Sequence, residues 1–515
     1  MNGAESLVAT LADQGVEVCF ANPGTSEMHF LAALESPRIK SVLCLFEGVC
    51  TGAADGYYRM RDKPASTLLH LGPGLANGLA NIHNARRASS GMVNIVGEHA
   101  TFHLKYDAPL TSDIAGLARP LSHWVRQADS ASSIAADAAA AIAQANAKPG
   151  RIATLILPGN FSWGQAGEPQ RIEQKLAQPG RPDAARIEHV AKILRSAEPA
   201  LLILGGKATR GRALELAGRI VAKTGCRVAT QFFQSRIERG AGRVPLERIP
   251  YAVSQAEAFL KPFKHIITVE TGEPIAFFSY PDKPSLLKSP DCQVHRLIDA
   301  DEDAALGLEM MADALDARTT APMLQPAEEK GAPEGPLHPV SIAHALAAAM
   351  PENCILVDES LTTGRESMGL TAGARPHDAI QNMGGSIGYG TPVATGAALA
   401  CPDRRTFCLV GDGSAMYTIQ SLWTQARESL PVTTVVFANN SYQILKAEYA
   451  NMGFGAPGPQ ALSMIDIDRP SIDWVAMGKS MGVPATQVDN VGDFYRAMVR
   501  STQAAGPTLI EVKLY

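Results

Sequence analysis

Two short polar clusters, Gly411-Asp412-Gly413-Ser414 and Asn439-Asn440, each close an apolar stretch, residues 406–410 and 433–438. The 25 residues between Gly413 and Asn439 leave room for a helix, so the pattern predicts a parallel strand-helix-strand unit. Both strands of such a unit end at one edge of the sheet, which brings Asp412 to the asparagine pair. Carboxylate and amide oxygens there, joined by backbone carbonyls and phosphate oxygens, make the all-oxygen shell preferred by a hard divalent cation such as Mg²⁺. Gly411 and Gly413 let the backbone approach a phosphate, whose charge the start of the following helix also favours.

A second set of reactive groups lies in the first third of the chain. Asn22-Pro23-Gly24-Thr25-Ser26-Glu27 offers a hydroxyl in a tight turn, Glu47 follows an apolar strand ending at Phe46, and His70 precedes the glycine-rich turn Gly72-Pro73-Gly74. Strand ends are where open α/β sheets bind ligands, and a hydroxyl, a carboxylate and an imidazole on one edge suit proton transfer and substrate positioning.

The elements that must hold these groups read as an α/β fold of three doubly wound parallel-sheet domains. Over residues 1–180, helix 4–14, strand 17–20, strand 41–46, helix 47–60, strand 66–70 and strand 92–97 alternate as a parallel sheet covered by helices requires. Residues 181–325 repeat the pattern with helix 183–196, strand 200–205, helix 212–224 and strands 265–270 and 294–298. Residues 319–336 are rich in Pro, Ala, Gly and charge and read as an exposed linker, after which 337–515 resume with helix 339–350 and strand 355–358. Gly205-Gly206-Lys207 follows a strand, but no Gly-x-Gly-x-x-Gly accompanies it, so a structural turn is the preferred reading over a nucleotide site.

Composition narrows the function further. At 515 residues, 46% apolar and 19% charged, the chain has the composition of a well-buried enzyme of roughly three domains. A net charge of -5 without a basic tract leaves no footprint for nucleic acid. The eight cysteines form no Cys-x-x-Cys pair, and no apolar run reaches the length of a membrane span, so a cytoplasmic protein with reduced thiols and no membrane partner is expected.

The Gly-Asp-Gly to Asn-Asn pattern resembles the diphosphate-binding motif of thiamine diphosphate enzymes, and residues 411–424 are most similar to the benzoylformate decarboxylase branch. The resemblance spans nearly the whole chain. It implies Mg²⁺ held by Asp412, by Asn440 (with Asn439 the second candidate) and by the carbonyl of Tyr442, with Gly411, Gly413 and Ser414 at the diphosphate. It assigns Glu47, within residues 47–57, to the aminopyrimidine, where a carboxylate in an apolar setting can share a proton with the ring. His70 and Thr25 become the proton-transfer and substrate-positioning candidates, Thr362 a diphosphate contact, and Gly385 and Ile387 the backing of the bent cofactor.

One departure stands out: Gly272-Glu273-Pro274 is followed by Ile275-Ala276-Phe277-Phe278-Ser279-Tyr280, without the second histidine of decarboxylases acting on aromatic 2-oxo acids. Ser279 or Tyr280 would have to stand in. The implied activity is non-oxidative decarboxylation of a 2-oxo acid to an aldehyde in a homodimer or homotetramer with sites between subunits. The alternatives are an acetolactate synthase-like carboligase without FAD, a flavin-dependent oxidase, and an inert cofactor-binding subunit, which would be expected to lack Glu47.

Overall fold

The computed structural model describes residues 1–35, 37–166, 178–328 and 330–514, so the expected linker lies within them except for position 329. Three sheets follow one another along the chain. In the first the strand order is Lys40–Leu43, Val18–Asn22, Ala65–Leu69, Met92–Glu98, Ile152–Pro158, Trp124–Gln127, and every pairing is parallel. Ala65–Leu69, Met92–Glu98 and Ile152–Pro158 are buried at every residue, as strands covered by helices on both faces must be. The Thr25 turn, Glu47 and His70 all emerge just past the C-terminal ends of their strands.

The second sheet is also parallel, in the order Glu247–Arg248, Arg227–Thr230, Ala200–Leu204, His265–Val269, Gln293–Ile298. The third runs Ala485–Val488, Thr508–Lys513, Val432–Ala438, Thr406–Gly411, Ile355–Glu359, His377–Gln381, Ile237–Arg239. Its last strand alone pairs antiparallel, with Arg239 opposite His377 and Ile237 opposite Ala379. That strand arrives from the middle stretch of sequence and covers an edge that would otherwise present unpaired backbone groups. Three residues are too few to signal a strand by alternation, so the crossing has no sequence signature.

Local geometry departs from the expected turns at two places. Gly72-Pro73-Gly74 lies inside the first turn of helix Leu71–Arg87, where proline's missing N–H costs nothing. Leu71 takes a left-handed φ of 52°, and the Gly74 N–H donates to the His70 carbonyl at 2.8 Å, so the helix starts immediately beneath the imidazole. Asp412–Ala415 forms a single helical turn directly after strand Thr406–Gly411.

Helix Glu47–Arg61 packs on helix Gly390–Ala400 through glycine. A Cβ at Gly56 would stand 2.1 Å from the Val393 carbonyl oxygen, and one at Gly396 1.8 Å from that of Ala53, so the backbones touch directly. Within this contact Arg59 pairs with Asp55 at 2.6 Å, both side chains at most 2% exposed. Asp55 also accepts from Ser90 Oγ, and Arg59 donates to the carbonyls of Gln381 at 2.6 Å and Ser235 at 3.3 Å. One buried ion pair thereby ties helix Glu47–Arg61 to the loop before Met92–Glu98, to the end of strand His377–Gln381 and to the segment that precedes strand Ile237–Arg239. Among the described residues no helix is long and apolar enough to cross a membrane.

Candidate active site

Glu47 opens its helix, where a negative side chain is favoured by the helix dipole, yet it is only 5% exposed. Its Oε2 accepts from Asn77 Nδ2 at 3.0 Å, and Oε1 would lie 2.9 Å from a Cβ on Gly74, so a side chain at that glycine would crowd the carboxylate. His70 is anchored from a neighbouring loop: its Nδ1 lies 2.7 Å from Glu27 Oε2, which also accepts the Gly24 N–H at 2.8 Å. Glu27 is buried, and its Oε1, packed against Gly97, has no hydrogen-bond partner among the described residues. With Nδ1 engaged, His70 keeps Nε2 for other work, the arrangement of a fixed acid-base imidazole. Thr25 starts the short 3₁₀ turn Thr25–Glu27 and is exposed, free to face a ligand.

Glu27 carried no assigned role in the sequence. It sits three residues after Gly24, the spacing of a simple cap, and only the fold brings His70 onto it. His99 lies close by at the end of strand Met92–Glu98; burial pushes its imidazole below the usual histidine range, and its Nε2 is another buried atom without a partner among the described residues.

The second cluster forms at the ends of the adjacent strands Thr406–Gly411 and Val432–Ala438, as the spacing predicts. Asp412 Oδ1 accepts from Gly413 N at 2.8 Å, while Oδ2 accepts from Asn439 N at 2.9 Å and Asn440 N at 2.6 Å. Burial raises the Asp412 carboxyl above the ordinary aspartate value. Asn439 spends its side-chain oxygen on the Ser441 N–H at 3.0 Å, whereas Asn440, at φ 54°, gives Nδ2 to Ser471 at 3.1 Å and has no hydrogen bond to Oδ1 among the described residues. Asn440 is therefore the asparagine with an oxygen to offer a cation. The Tyr442 ring closes over Gly413, which any Cβ would bring within 2.4 Å of it, while the space at Gly411 is open. Ser414 is buried in the same turn. The donor set of carboxylate, amide oxygen and carbonyl suits Mg²⁺, and among the described residues no histidine- or cysteine-based metal cluster competes with it.

Between the clusters, Glu359 does what the sequence did not reveal. It ends strand Ile355–Glu359, and its carboxylate accepts the N–H groups of Gly388 at 2.9 Å, Tyr389 at 3.2 Å and Gly390 at 2.7 Å, fixing the turn that carries Ile387. Burial pushes its pKa up to about 7 against those three donors. The folded chain thus holds a proton that the unfolded chain releases near 4.5, and this group's contribution to stability falls as pH rises from about 4.5 to about 7. Glu359→Gln is expected to flatten that slope in thermal melts across the window; an unchanged slope would locate the titration elsewhere. Thr362 lies in the following turn, half-buried beside Leu361 at φ 47°.

The Ile387 turn is tied to the first domain by Asn81, which donates to both the Gly48 carbonyl at 2.9 Å and the Gly388 carbonyl at 3.2 Å, and by Asn84 to Ser386. No hydrogen bond or ion pair among the described residues joins Glu47, His70 or Thr25 to Asp412, Asn440 or Tyr442. Where the second histidine of the aromatic decarboxylases was missed, Phe277 stands against Gly385, to which any Cβ would lie 2.6 Å from its Cζ. Its ring is flanked by Phe233, Phe278 and Tyr251 at centroid distances of 5.6, 4.8 and 5.9 Å. Tyr280 donates its hydroxyl to Glu448 at 2.9 Å.

Three parallel sheets with a Gly-Asp-Gly to Asn-Asn crevice in the last define a class of cofactor-binding enzyme, and comparison with known proteins agrees. Residues 1–118 match the family described as thiamine pyrophosphate enzyme, N-terminal TPP binding domain, and residues 365–512 its C-terminal TPP binding domain. The chain is 49% identical, over 99% of both chains, to a Mycobacterium tuberculosis protein provisionally named acetolactate synthase large subunit IlvX. It is 26% identical to the benzoylformate decarboxylase of Pseudomonas aeruginosa, over 98% of this chain and 97% of that one. In fold it is similar to the thiamine diphosphate-dependent 4-hydroxybenzoylformate decarboxylase of Rhodococcus jostii RHA1, with a TM-score of 0.87 at 23% identity, covering 100% of this chain and 99% of that one. The chain belongs to the thiamine pyrophosphate enzymes.

Proposed function

We propose that this protein is a thiamine diphosphate- and Mg²⁺-dependent decarboxylase that converts a 2-oxo acid to an aldehyde in the cytoplasm. The observation that carries this reading is the His70-Glu27 pair beside Thr25 and Glu47: a fixed imidazole is the group needed to deliver a proton where CO₂ has left. The bound cofactor would supply the electron sink for loss of CO₂, chemistry the protein orients and tunes. Asp412, Asn440 and the Tyr442 carbonyl would hold the cation; Gly411, Gly413, Ser414 and Thr362 would receive the diphosphate, Glu47 the aminopyrimidine, and Gly385 with Ile387 would back the rings. Thr25 would hold the substrate carboxylate. The aromatic wall around Phe277 favours a 2-oxo acid with an apolar side chain over an acidic one.

We also propose an active site completed by a second copy, in a homodimer or homotetramer, since no hydrogen bond or ion pair among the described residues joins Glu47 or His70 to Asp412 or Asn440 within one chain. A second reading, carboligation of the acetolactate synthase kind without FAD, is favoured by the 49% identity to the mycobacterial relative. The two differ only after CO₂ is lost, when the nascent carbanion meets either a proton or a second carbonyl. The deciding experiment supplies thiamine diphosphate, Mg²⁺ and a panel of aliphatic, aromatic and acidic 2-oxo acids, then separates aldehyde from 2-hydroxyketone. Aldehyde as the main product is expected; hydroxyketone as the main product would move the protein to the carboligases, and no CO₂ from any acid would overturn both readings.

A further inference from the structure

A cavity of about 640 Å³ lies between the second and third sheets; it includes none of the residues assigned to the cofactor, the cation or proton transfer, and shares Tyr251 with the aromatic wall at Phe277. Phe232, Arg248 and Tyr251 line it from one side, Arg365 and Met368 from the other, and Arg239 from the strand that crosses between them. Three arginines line it against two glutamates, Glu247 and Glu366. Arg239 donates to Thr371 Oγ1 at 2.8 Å and to the Met368 carbonyl. Arg248 donates Nε to the Phe232 carbonyl at 2.7 Å and lays its guanidinium over the Phe232 ring, 3.5 Å from the centroid. Arg365 stands over Tyr251 at 5.4 Å. Among the described residues none of the three forms an ion pair.

Glu247 and Glu366 also line the cavity, and the charge of Asp358 acts on Arg239 and Arg248 against their burial, without any of the three carboxylates pairing with these arginines. Glu247 is gripped by the Arg227 guanidinium, Asp358 accepts from Ser360, and Glu366 is exposed. Burial, aided by the charge of Arg248, drags Arg239 down to about 10, and burial likewise lowers Arg248 to about 10. Enclosed guanidiniums that no carboxylate meets in an ion pair are costly, and an anion entering such a space recovers that cost through bidentate hydrogen bonds. Around them Phe232, Tyr251, Phe259, Val244 and Leu246 offer apolar surface that a bare inorganic ion would leave unused.

We propose that this cavity binds a small organic oxyanion, a carboxylate or phosphate monoester on a flat apolar body, held by Arg239, Arg248 and Arg365 with the body against the aromatic wall. Its three arginines take no part in the 2-oxo acid turnover proposed above. The test is titration calorimetry on cofactor-saturated protein with phenyl phosphate, benzoate, inorganic phosphate and neutral benzyl alcohol. Saturable binding of phenyl phosphate or benzoate at one site per chain is expected, and the tighter of the two names the oxyanion. Benzyl alcohol should not bind, inorganic phosphate should bind at least tenfold more weakly than phenyl phosphate, and Glu47→Gln should leave the affinity unchanged. Arg248→Gln, or the exposed Arg365→Gln if the former melts early, should weaken binding by tenfold or more. Absence of saturable binding, or full affinity in both arginine variants, would overturn the site; equal binding of inorganic phosphate would overturn the role given to the apolar wall.

Discussion

Glu47→Gln is expected to cut CO₂ release from any accepted 2-oxo acid by about 10²–10⁴-fold, the range typical of a positioned acid-base group. The substitution preserves the volume of a side chain that is 5% exposed, and its amide oxygen can still accept from Asn77 Nδ2. What it removes is the capacity to exchange a proton with a ring nitrogen. Because the cluster proposed to hold the diphosphate and cation stands on other strands, cofactor uptake by equilibrium dialysis should remain near wild type while turnover collapses. Turnover within threefold of wild type would show that Glu47 is a cap of its helix and nothing more. Loss of uptake and turnover together would mean that it anchors the cofactor instead of activating it.

Asp55→Ala is expected to have the largest effect on stability, about 3–5 kcal/mol, because it strands the Arg59 guanidinium in the interior without its counter-charge. Arg59 would keep its bonds to the carbonyls of Gln381 and Ser235, but neutral acceptors do not offset a buried charge. The apparent Tm should fall by about 3–5 °C. Since the pair sits where helix Glu47–Arg61 meets the third sheet and the middle stretch, early loss of inter-domain order should appear as increased proteolysis around residue 235. Replacing both partners, Asp55→Leu with Arg59→Met, should recover much of the loss, because it removes the unpaired charge and not only the attraction. A single variant as stable as wild type would show that water reaches Arg59.

The amino-acid sequence by itself determined the periodic elements and their order. Short, mostly apolar runs such as Ala200–Leu204 and Val432–Ala438 read as strands buried on both faces, and the helix-length gaps between such runs favour parallel pairing. From that alone Asp412 and the asparagine pair meet at adjacent strand ends, and the Thr25 turn, Glu47 and His70 share an edge of another sheet; family membership follows from the same residues. The tertiary structure decided what depends on side chains distant in the chain. Glu27 looks like a cap until folding carries His70 to it, 43 residues away. Glu359 looks like the polar end of a strand until the turn at Gly388 closes around it, 29 residues on. Strand Ile237–Arg239 is three residues long and gains its identity only from the edge it covers, and Arg239, Arg248 and Arg365 become a cationic cavity only when that crossing brings the second and third sheets together. Periodicity reports local geometry and burial; a hydrogen bond or a shared cavity between distant segments leaves no period to read.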